Sequence, residues 1–246
     1  MATTMVLGDG PLGRAIETAL RDRGDPVRVA GRPIGGEHAP ATLRGADLVV
    51  DASRAEAVAG NVEMALAAGC RRLVVATTGW QADLDRVGAA LRRAGAVAVV
   101  APNLALGAAL FLRLVDEAAR LAAAIGGFEP SVLEWHRRSK ADRPSGTARD
   151  IVRRLAAAQL PIEVGEIAVL RSGAMPGMHV VGLDGPSETI ELRLTARDRS
   201  GYAAGALAAI DWLRAAPRTA GIHPFDEVVD ARLAAARRPA AVAAIA

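Results

Sequence analysis

A chain of 246 residues, 51% hydrophobic but only 3% aromatic, can form one large or two modest domains and must build its core from Ala, Val, Leu and Ile. The net charge of +3 comes from arginines interleaved with Asp and Glu; with so few aromatics to stack on bases, this argues against a nucleic-acid surface. A single cysteine, Cys70, excludes an internal disulfide, and no apolar run reaches membrane-spanning length. The segment after Met1 lacks the charged, apolar and small-residue regions of a signal peptide. A cytoplasmic protein without a membrane partner is the expectation.

Thr4–Leu7 reads as a strand running into the glycine-rich Gly8–Gly13, and Pro11–Arg21 has helical spacing. Val27–Ala30 and Asp47–Val50 are further strands, followed by a helix over Ala55–Ala68. Arg72–Ala76 is a fourth strand, Gln81–Arg93 a helix and Val97–Ala101 a fifth strand. Such alternation predicts an α/β fold with a Rossmann-type, doubly wound parallel sheet. After Asn103 the pattern changes. A long helix over Ala108–Ala124, a strand over Ser131–Trp135 and a helix over Thr147–Leu155 are expected. Glu166–Arg171, His179–Gly182 and Thr189–Ala196 then read as strands without long helices between them, and Ala203–Arg214 as a last helix. This predicts a first domain over 1–103, to which 215–246 returns, and a smaller α+β domain with a mixed sheet over 104–214. The tail from Ala231, rich in alanine and arginine, is expected to be frayed helix or disorder.

Gly8-Asp9-Gly10-Pro11-Leu12-Gly13 is a G-x-G-x-x-G between the first strand and the first helix. Gly8 permits a tight turn, Gly10 lets a pyrophosphate approach the backbone, and Gly13 allows close helix–strand packing. Pro11 suits the first helical position, where its missing N–H has no intrahelical partner. These residues and Leu12 are therefore expected to hold a dinucleotide. In such sites an acid at the end of the second strand binds the ribose of NAD. Here that strand ends Val29-Ala30-Gly31-Arg32, so Arg32 is expected to pair with a 2′-phosphate; NADPH is favoured, with NADH possible.

A second constellation runs from Glu134 to Ala148, from a predicted strand to a predicted helix N-terminus. Ser145, Gly146 and Thr147 offer hydroxyls and unpaired N–H groups, which suit an anion. His136, Arg137, Arg138 and Lys140 add cationic or proton-donating groups, so a small carboxylate is the expected substrate. Lys140 is the one lysine among 30 basic residues. Its compact ammonium differs physically from a guanidinium, and its survival beside His136 points to function. His38, His179 and His223 read as structural, and no metal is expected.

These residues resemble the dihydrodipicolinate reductase family. Its pattern, roughly E-x-H-H-x-x-K-x-D-x-P-S-G-T-A, is matched from Glu134 to Ala148, with Arg137 at the second His. Ala76-Thr77-Thr78-Gly79 is similar to the family's G-T-T-G, and Ala101-Pro102-Asn103 to its A-P-N. Arg171-Ser172-Gly173 with His179 resembles its R-x-G…H segment, and Ala204-Gly205-Ala206 its late helix.

The resemblance implies hydride transfer from NAD(P)H to a cyclic imine bearing two carboxylates, as in lysine and diaminopimelate synthesis. It makes His136 the general acid and Lys140 its companion donor, and it puts Arg137, Ser145, Gly146 and Thr147 on the substrate. Ala76, Thr77, Thr78, Ala101, Pro102 and Asn103 join the cofactor residues. It also implies a homo-oligomer, tetramer or dimer, built through the second domain. Arg137, Ala76, a glycine loop one residue short, and Leu194 in place of a strand-end His depart from the pattern. They leave open a diverged paralogue that reduces a related imine or unsaturated acid. A non-catalytic NADP-binding sensor is the third reading; it would lack the donors that His136 and Lys140 supply.

Overall fold

Runs of about four apolar residues, too short for helices and apolar on both faces, become buried strands of a parallel sheet. In the computed structural model, which describes residues 2–31, 42–101 and 103–237, such runs form β1 (Thr4–Leu7), β3 (Leu48–Asp51), β4 (Arg72–Val75) and β5 (Val97–Val100), while β2 (Val27–Ala30), interrupted by the exposed Arg28, is an edge strand. A sixth strand, β10 (Gly221–Pro224), joins at the edge in the order β10-β5-β4-β3-β1-β2, every pairing parallel. The helices α1 (Pro11–Asp22), α2 (Val58–Ala67) and α3 (Leu84–Arg93) bury one stripe each, for example Ile16 and Leu20 or Val87 and Leu91. Chain order reverses beside β1, and a doubly wound sheet binds its ligand at such a switch point. The glycine loop lies at the carboxyl end of β1.

The chain divides into two units, Met1–Leu104 with Tyr202–Ala246, and Ala105–Gly201. The return to the first unit thus begins earlier than 215. The helix α6 (Ser200–Ala215), expected in the second domain, packs in the first. It buries Ala203, Ala206, Ile210 and Leu213 there, and Arg214 at its end donates to Thr4 Oγ1 and pairs with Asp47, each at 3.0 Å. A side chain at Gly205 would collide with the Leu104 carbonyl, 1.6 Å from where its Cβ would stand. Neither β10 nor α7 (Phe225–Arg237) was anticipated; α7 buries Phe225, Val228 and Val229. Ala231–Arg237, in the segment expected to fray or be disordered, forms its last turns. The rest of that tail, 238–246, lies outside the described residues.

The second unit contains α4 (Leu106–Ile125), β6 (Glu129–His136), α5 (Gly146–Ala157), β7 (Ala168–Arg171), β8 (Gly177–Asp184) and β9 (Thr189–Ala196). Its sheet runs β7-β6-β8-β9 and is mixed, since β6 and β7 are parallel and the other pairs antiparallel. One face, with Val132, Val181 and Leu183, packs on Phe111, Val115, Ile151 and Leu155 of the helices. On the opposite face Leu133 and Leu170 are 39% and 47% exposed. The strand β8 outruns its expected length because two glycines interrupt its apolar pattern. Ser131 Oγ stands 2.4 Å from where a Cβ of Gly182 would be, and His136 crowds Gly177 in the same way. Among the described residues no helix is long and apolar enough to cross a membrane.

Candidate active site

Alternation along β6 puts Val132, Glu134 and His136 on the helix-covered face, where apolar packing gives way to charge. Register sets His179 of β8 opposite Glu134, and Arg171 of β7 beside His136. The Glu134 and Arg171 side chains are both fully buried. A buried carboxylate is costly unless paired and hydrogen-bonded. Arg171 Nη2 donates to Glu134 Oε1 at 2.5 Å, and the Ser145 N–H reaches both carboxylate oxygens at 3.0 and 3.2 Å. His136 Nδ1 and His179 Nε2 face Oε2 at 3.5 and 3.6 Å. Burial pulls the Glu134 pKa up, but His179, Ser145 and Arg171 outweigh it and hold the carboxyl well below the usual carboxylate range.

His136 moves down as well. Burial, then the neighbouring His179, Lys140 and Arg171, push its pKa to about 4 against the pull of Glu134. The imidazole is therefore neutral at pH 7. An unfolded histidine takes up its proton near pH 6.5, so between about 6.5 and 4 the unfolded chain binds more protons than the folded one. The stability contributed by neutral His136 is complete above about pH 6.5 and falls as pH drops through this window. Glu134 adds its own loss only below about pH 4.3, where the unfolded carboxylate protonates. An NMR titration of His136 should give a midpoint near 4; a midpoint at or above 6.5 would contradict this environment.

The loop after β6 is tied to the same pair. Arg171 Nη2 also donates to the Asp142 carbonyl at 2.6 Å, and the Asp142 carboxylate pairs with Lys140 Nζ at 2.7 Å. Ser145 is the N-cap of α5: its Oγ accepts from the Ala148 N–H at 3.2 Å and hydrogen-bonds His179 Nε2 at 3.1 Å. Gly146 and Thr147 open α5, where backbone N–H groups lack intrahelical partners. Lys140 and the Ser145–Thr147 corner are thus anchored to the buried end of β6 that carries His136. Arg137 is exposed, and its Nε donates to Ser139 Oγ at 3.2 Å.

Three residues given no role from the sequence, Glu134, Arg171 and His179, organise this site. A charged residue between Val132 and His136 on one strand face was the legible signal. Ligand atoms of Glu134, His136 and His179 lie within 4.8 Å of one another, but the Arg171 guanidinium already engages Glu134 and opposes a cation there.

Gly177 gives His136 its room. A Cβ there would stand 3.1 Å from His136 Nε2 and 3.2 Å from Cδ2. Gly177→Ala should displace the imidazole by a few tenths of an ångström and lower kcat several-fold while cofactor binding stays unchanged, since small misplacements of reacting groups are costly. Steady-state kinetics with a cofactor titration checks this; an unchanged kcat would contradict it.

In the first unit the glycine loop has the geometry a dinucleotide needs. Gly8 has φ +113°, and a Cβ there would lie 2.4 Å from the Ala52 carbonyl oxygen; at Gly13 it would lie 1.9 Å from that of Gly8. Around Gly10, the N-cap of α1 with Pro11 after it, no atom of the described residues lies within 4 Å of such a Cβ. Leu12 is half-buried in the first turn. This open approach to a helix N-terminus fits a pyrophosphate. Asp51, buried at the end of β3, accepts from Ser53 N–H and Oγ, Asn61 Nδ2 and Thr77 Oγ1. It fastens the loops after β3 and β4, where Ala76 and Thr77 are buried and Thr78 is exposed. Ala101 is buried and Asn103 half-buried. Arg32, His38 and Pro102 lie outside the described residues.

The second strand does not end without an acid. Asp9 Oδ2, reaching over from the glycine loop, stands 3.0 Å from where a Cβ of Gly31 would be.

Comparison with known proteins agrees across the chain. Residues 9–104 match the family model for the N-terminus of dihydrodipicolinate reductase, and residues 107–228 the model for its C-terminus. The 4-hydroxy-tetrahydrodipicolinate reductase of Myxococcus xanthus is 34% identical over 202 residues, covering 75% of this chain and 72% of that protein. That of Methanospirillum hungatei is 32% identical over 199 residues, covering 75% and 76%. Among solved structures, a dipicolinate-bound dihydrodipicolinate reductase from Paenisporosarcina sp. TG-14 superposes with a TM-score of 0.70 at 18% identity, covering 91% of this chain and 97% of that one.

Proposed function

The chain belongs to the dihydrodipicolinate reductase family, and from that premise we propose that it reduces a cyclic imine bearing two carboxylates, the reaction of lysine and diaminopimelate synthesis. Family membership makes it an NAD(P)H-dependent oxidoreductase. One observation carries the substrate reading: the buried Glu134 anchors a single strand end from which His136, Lys140 and the α5 N-terminus are all presented.

When bound, NAD(P)H supplies the hydride. The chain's residues do the rest. The N–H groups of Gly146 and Thr147, with the Thr147 hydroxyl, would hold one carboxylate, and the exposed Arg137 would pair with the other. As hydride adds to the conjugated ring, electron density moves toward the imine nitrogen, and a proton must follow. Lys140 and His136 are the donors. His136 is neutral without substrate, but an arriving dianion favours its protonated form and raises its pKa, which suits a general acid that is charged only when needed.

The test is oxidation of NADPH in the presence of the product of dihydrodipicolinate synthase. Turnover within the usual enzymatic range of about 1–10³ s⁻¹ is expected, with dipicolinate as a competitive inhibitor. Normal cofactor binding without turnover would contradict this substrate and favour the diverged paralogue, for which the exposed Arg137 is the structural reason.

The cofactor we propose is NADPH, with NADH accepted. Arg32 would pair with a 2′-phosphate, whereas Asp9 at the end of β2 would accept from a ribose hydroxyl and repel that phosphate. Asp9→Asn should therefore shift the ratio of dissociation constants several-fold toward NADPH, and Arg32→Asp should shift it toward NADH. A tenfold wild-type preference for NADH, about 1.4 kcal/mol, would contradict the NADPH assignment. Assembly into a dimer or tetramer through the open face around Leu133 and Leu170 follows from the family reading, and light scattering tests it. A cytoplasmic location belongs to the same proposal.

A further inference from the structure

We infer that Arg171 and Asp142 are positioning residues that set Lys140 for proton delivery, an assignment that rests on the reductase reading above. Arg171 makes its contacts from a fully buried side chain. One nitrogen, Nη2, donates both to Glu134 Oε1 and to the Asp142 carbonyl, while Nη1 donates to the Leu170 carbonyl. Its Nε is buried without a hydrogen-bond partner among the described residues. A buried donor left unsatisfied costs free energy, so the guanidinium is held where the loop needs it rather than where its own donors are best met.

The consequence runs outward along the chain. The Asp142 carbonyl is fixed by Arg171, and the Asp142 carboxylate holds Lys140 Nζ at 2.7 Å. Three residues on, Glu134 fixes the Ser145 N–H and with it the N-terminus of α5. The buried pair thus clamps the loop from 137 to 145 at both Asp142 and Ser145. Between β6 and the clamp, the loop's bonds among the described residues are those of the Lys140 N–H to the Arg137 carbonyl, the Arg138 N–H to the Gly173 carbonyl and Arg137 Nε to Ser139 Oγ. Asp142 and Arg171 touch no reacting atom in this scheme. They act through Lys140, whose flexible four-carbon stem would otherwise sample many positions.

A lysine at 171 can still meet Glu134, but its chain ends one atom short of the Nη2 position and has nothing in place of the Nη1 bond to the Leu170 carbonyl, so it cannot hold Glu134 and the Asp142 carbonyl in the same geometry. In Arg171→Lys, kcat should fall about tenfold to a hundredfold, the scale set by misplacing a reacting group, while the NADPH dissociation constant stays unchanged. Hydrogen exchange of the amides from 137 to 145 should accelerate. Asp142→Asn leaves the carbonyl in place and alters an exposed carboxylate; it should lower kcat comparably with an unchanged melting temperature, and Asp142→Glu should restore most of the loss.

If Arg171→Lys does not fold, the Asp142 pair decides alone. Wild-type kcat in Asp142→Asn, or no recovery in Asp142→Glu, overturns the assignment. If wild-type protein fails to turn over the imine, the substrate reading has failed. The positioning claim is then judged by exchange, and unaltered loop exchange in Arg171→Lys overturns it.

Discussion

Replacing Lys140 by alanine is expected to lower kcat by roughly 10²–10⁴-fold, the range for removal of a positioned proton donor. His136 is neutral at pH 7 in the substrate-free protein, because burial and three neighbouring cationic or histidine groups push its pKa to about 4. Lys140, paired with Asp142 and only partly exposed, brings the ammonium that this end of β6 otherwise lacks. The loss should fall on kcat rather than on NADPH affinity, because Lys140 is not part of the glycine loop. Lys140→Arg is the more discriminating variant. The chain uses arginine at all its other cationic side-chain positions, so a merely electrostatic role predicts no change. A compact donor held by Asp142 predicts a loss close to that of alanine, since a guanidinium is a far weaker acid. Steady-state kinetics on both variants, beside the wild type, reads this directly. Near-wild-type kcat in Lys140→Ala would remove it from the mechanism.

The largest effect on stability is expected at Glu134. Truncation to alanine leaves the Arg171 guanidinium buried and facing no carboxylate, the case in which breaking an internal ion pair costs about 3–5 kcal/mol. It also strips the Ser145 N–H of its acceptor and removes the anion that His136 Nδ1 and His179 Nε2 both face. Urea denaturation monitored by the fluorescence of Trp135, which lies on β6, would read the loss. Paired replacement of Glu134 and Arg171 by apolar residues of similar volume should recover much of the stability, because neither charge is then stranded. It should not recover activity. A Glu134→Ala protein within about 1 kcal/mol of wild type would mean that the ion pair is not what holds this end of the sheet.

How far such effects could be foreseen differs between the two halves of the chain. In the first unit, period and punctuation agree: apolar runs of four residues alternate with amphipathic helices, and Gly8, Gly10 and Gly13 fall where a turn, an approach and a close contact require them. There the expected strands β1 to β5 appear with ends shifted by a residue at most. The helix α6 was foreseen as a helix but placed in the wrong unit, because an Ala-rich segment shows which face is apolar without showing what it packs on. Its partners, the Leu104 carbonyl, Thr4 and Asp47, are distant in sequence. β10 was missed for a related reason: Gly-Ile-His-Pro carries too little apolar signal, and the edge position beside β5 is what makes it a strand.

In the second unit the residues proposed to meet the substrate stood out and those that support them did not. Lys140 is unique in composition, and Ser145 to Thr147 sit at a helix start. Arg171 and His179 entered only through a family resemblance that gave them no role, and His179 otherwise read as a strand histidine. Only the register of β7, β6 and β8 brings both to Glu134. Asp9 is the converse case. The end of β2 contains no acid in its own sequence, yet one arrives from a neighbouring loop.

The measurement that bears most directly on this account follows the hydride itself. NADPH carrying deuterium at the transferable position, incubated with the enzyme and the dehydrated product of dihydrodipicolinate synthase, should yield a reduced ring dicarboxylate containing one deuterium by mass spectrometry. In Lys140→Ala the same label should appear, far more slowly. Oxidation of the cofactor with no deuterium in the dicarboxylate, or no oxidation while NADPH binds normally, would contradict it.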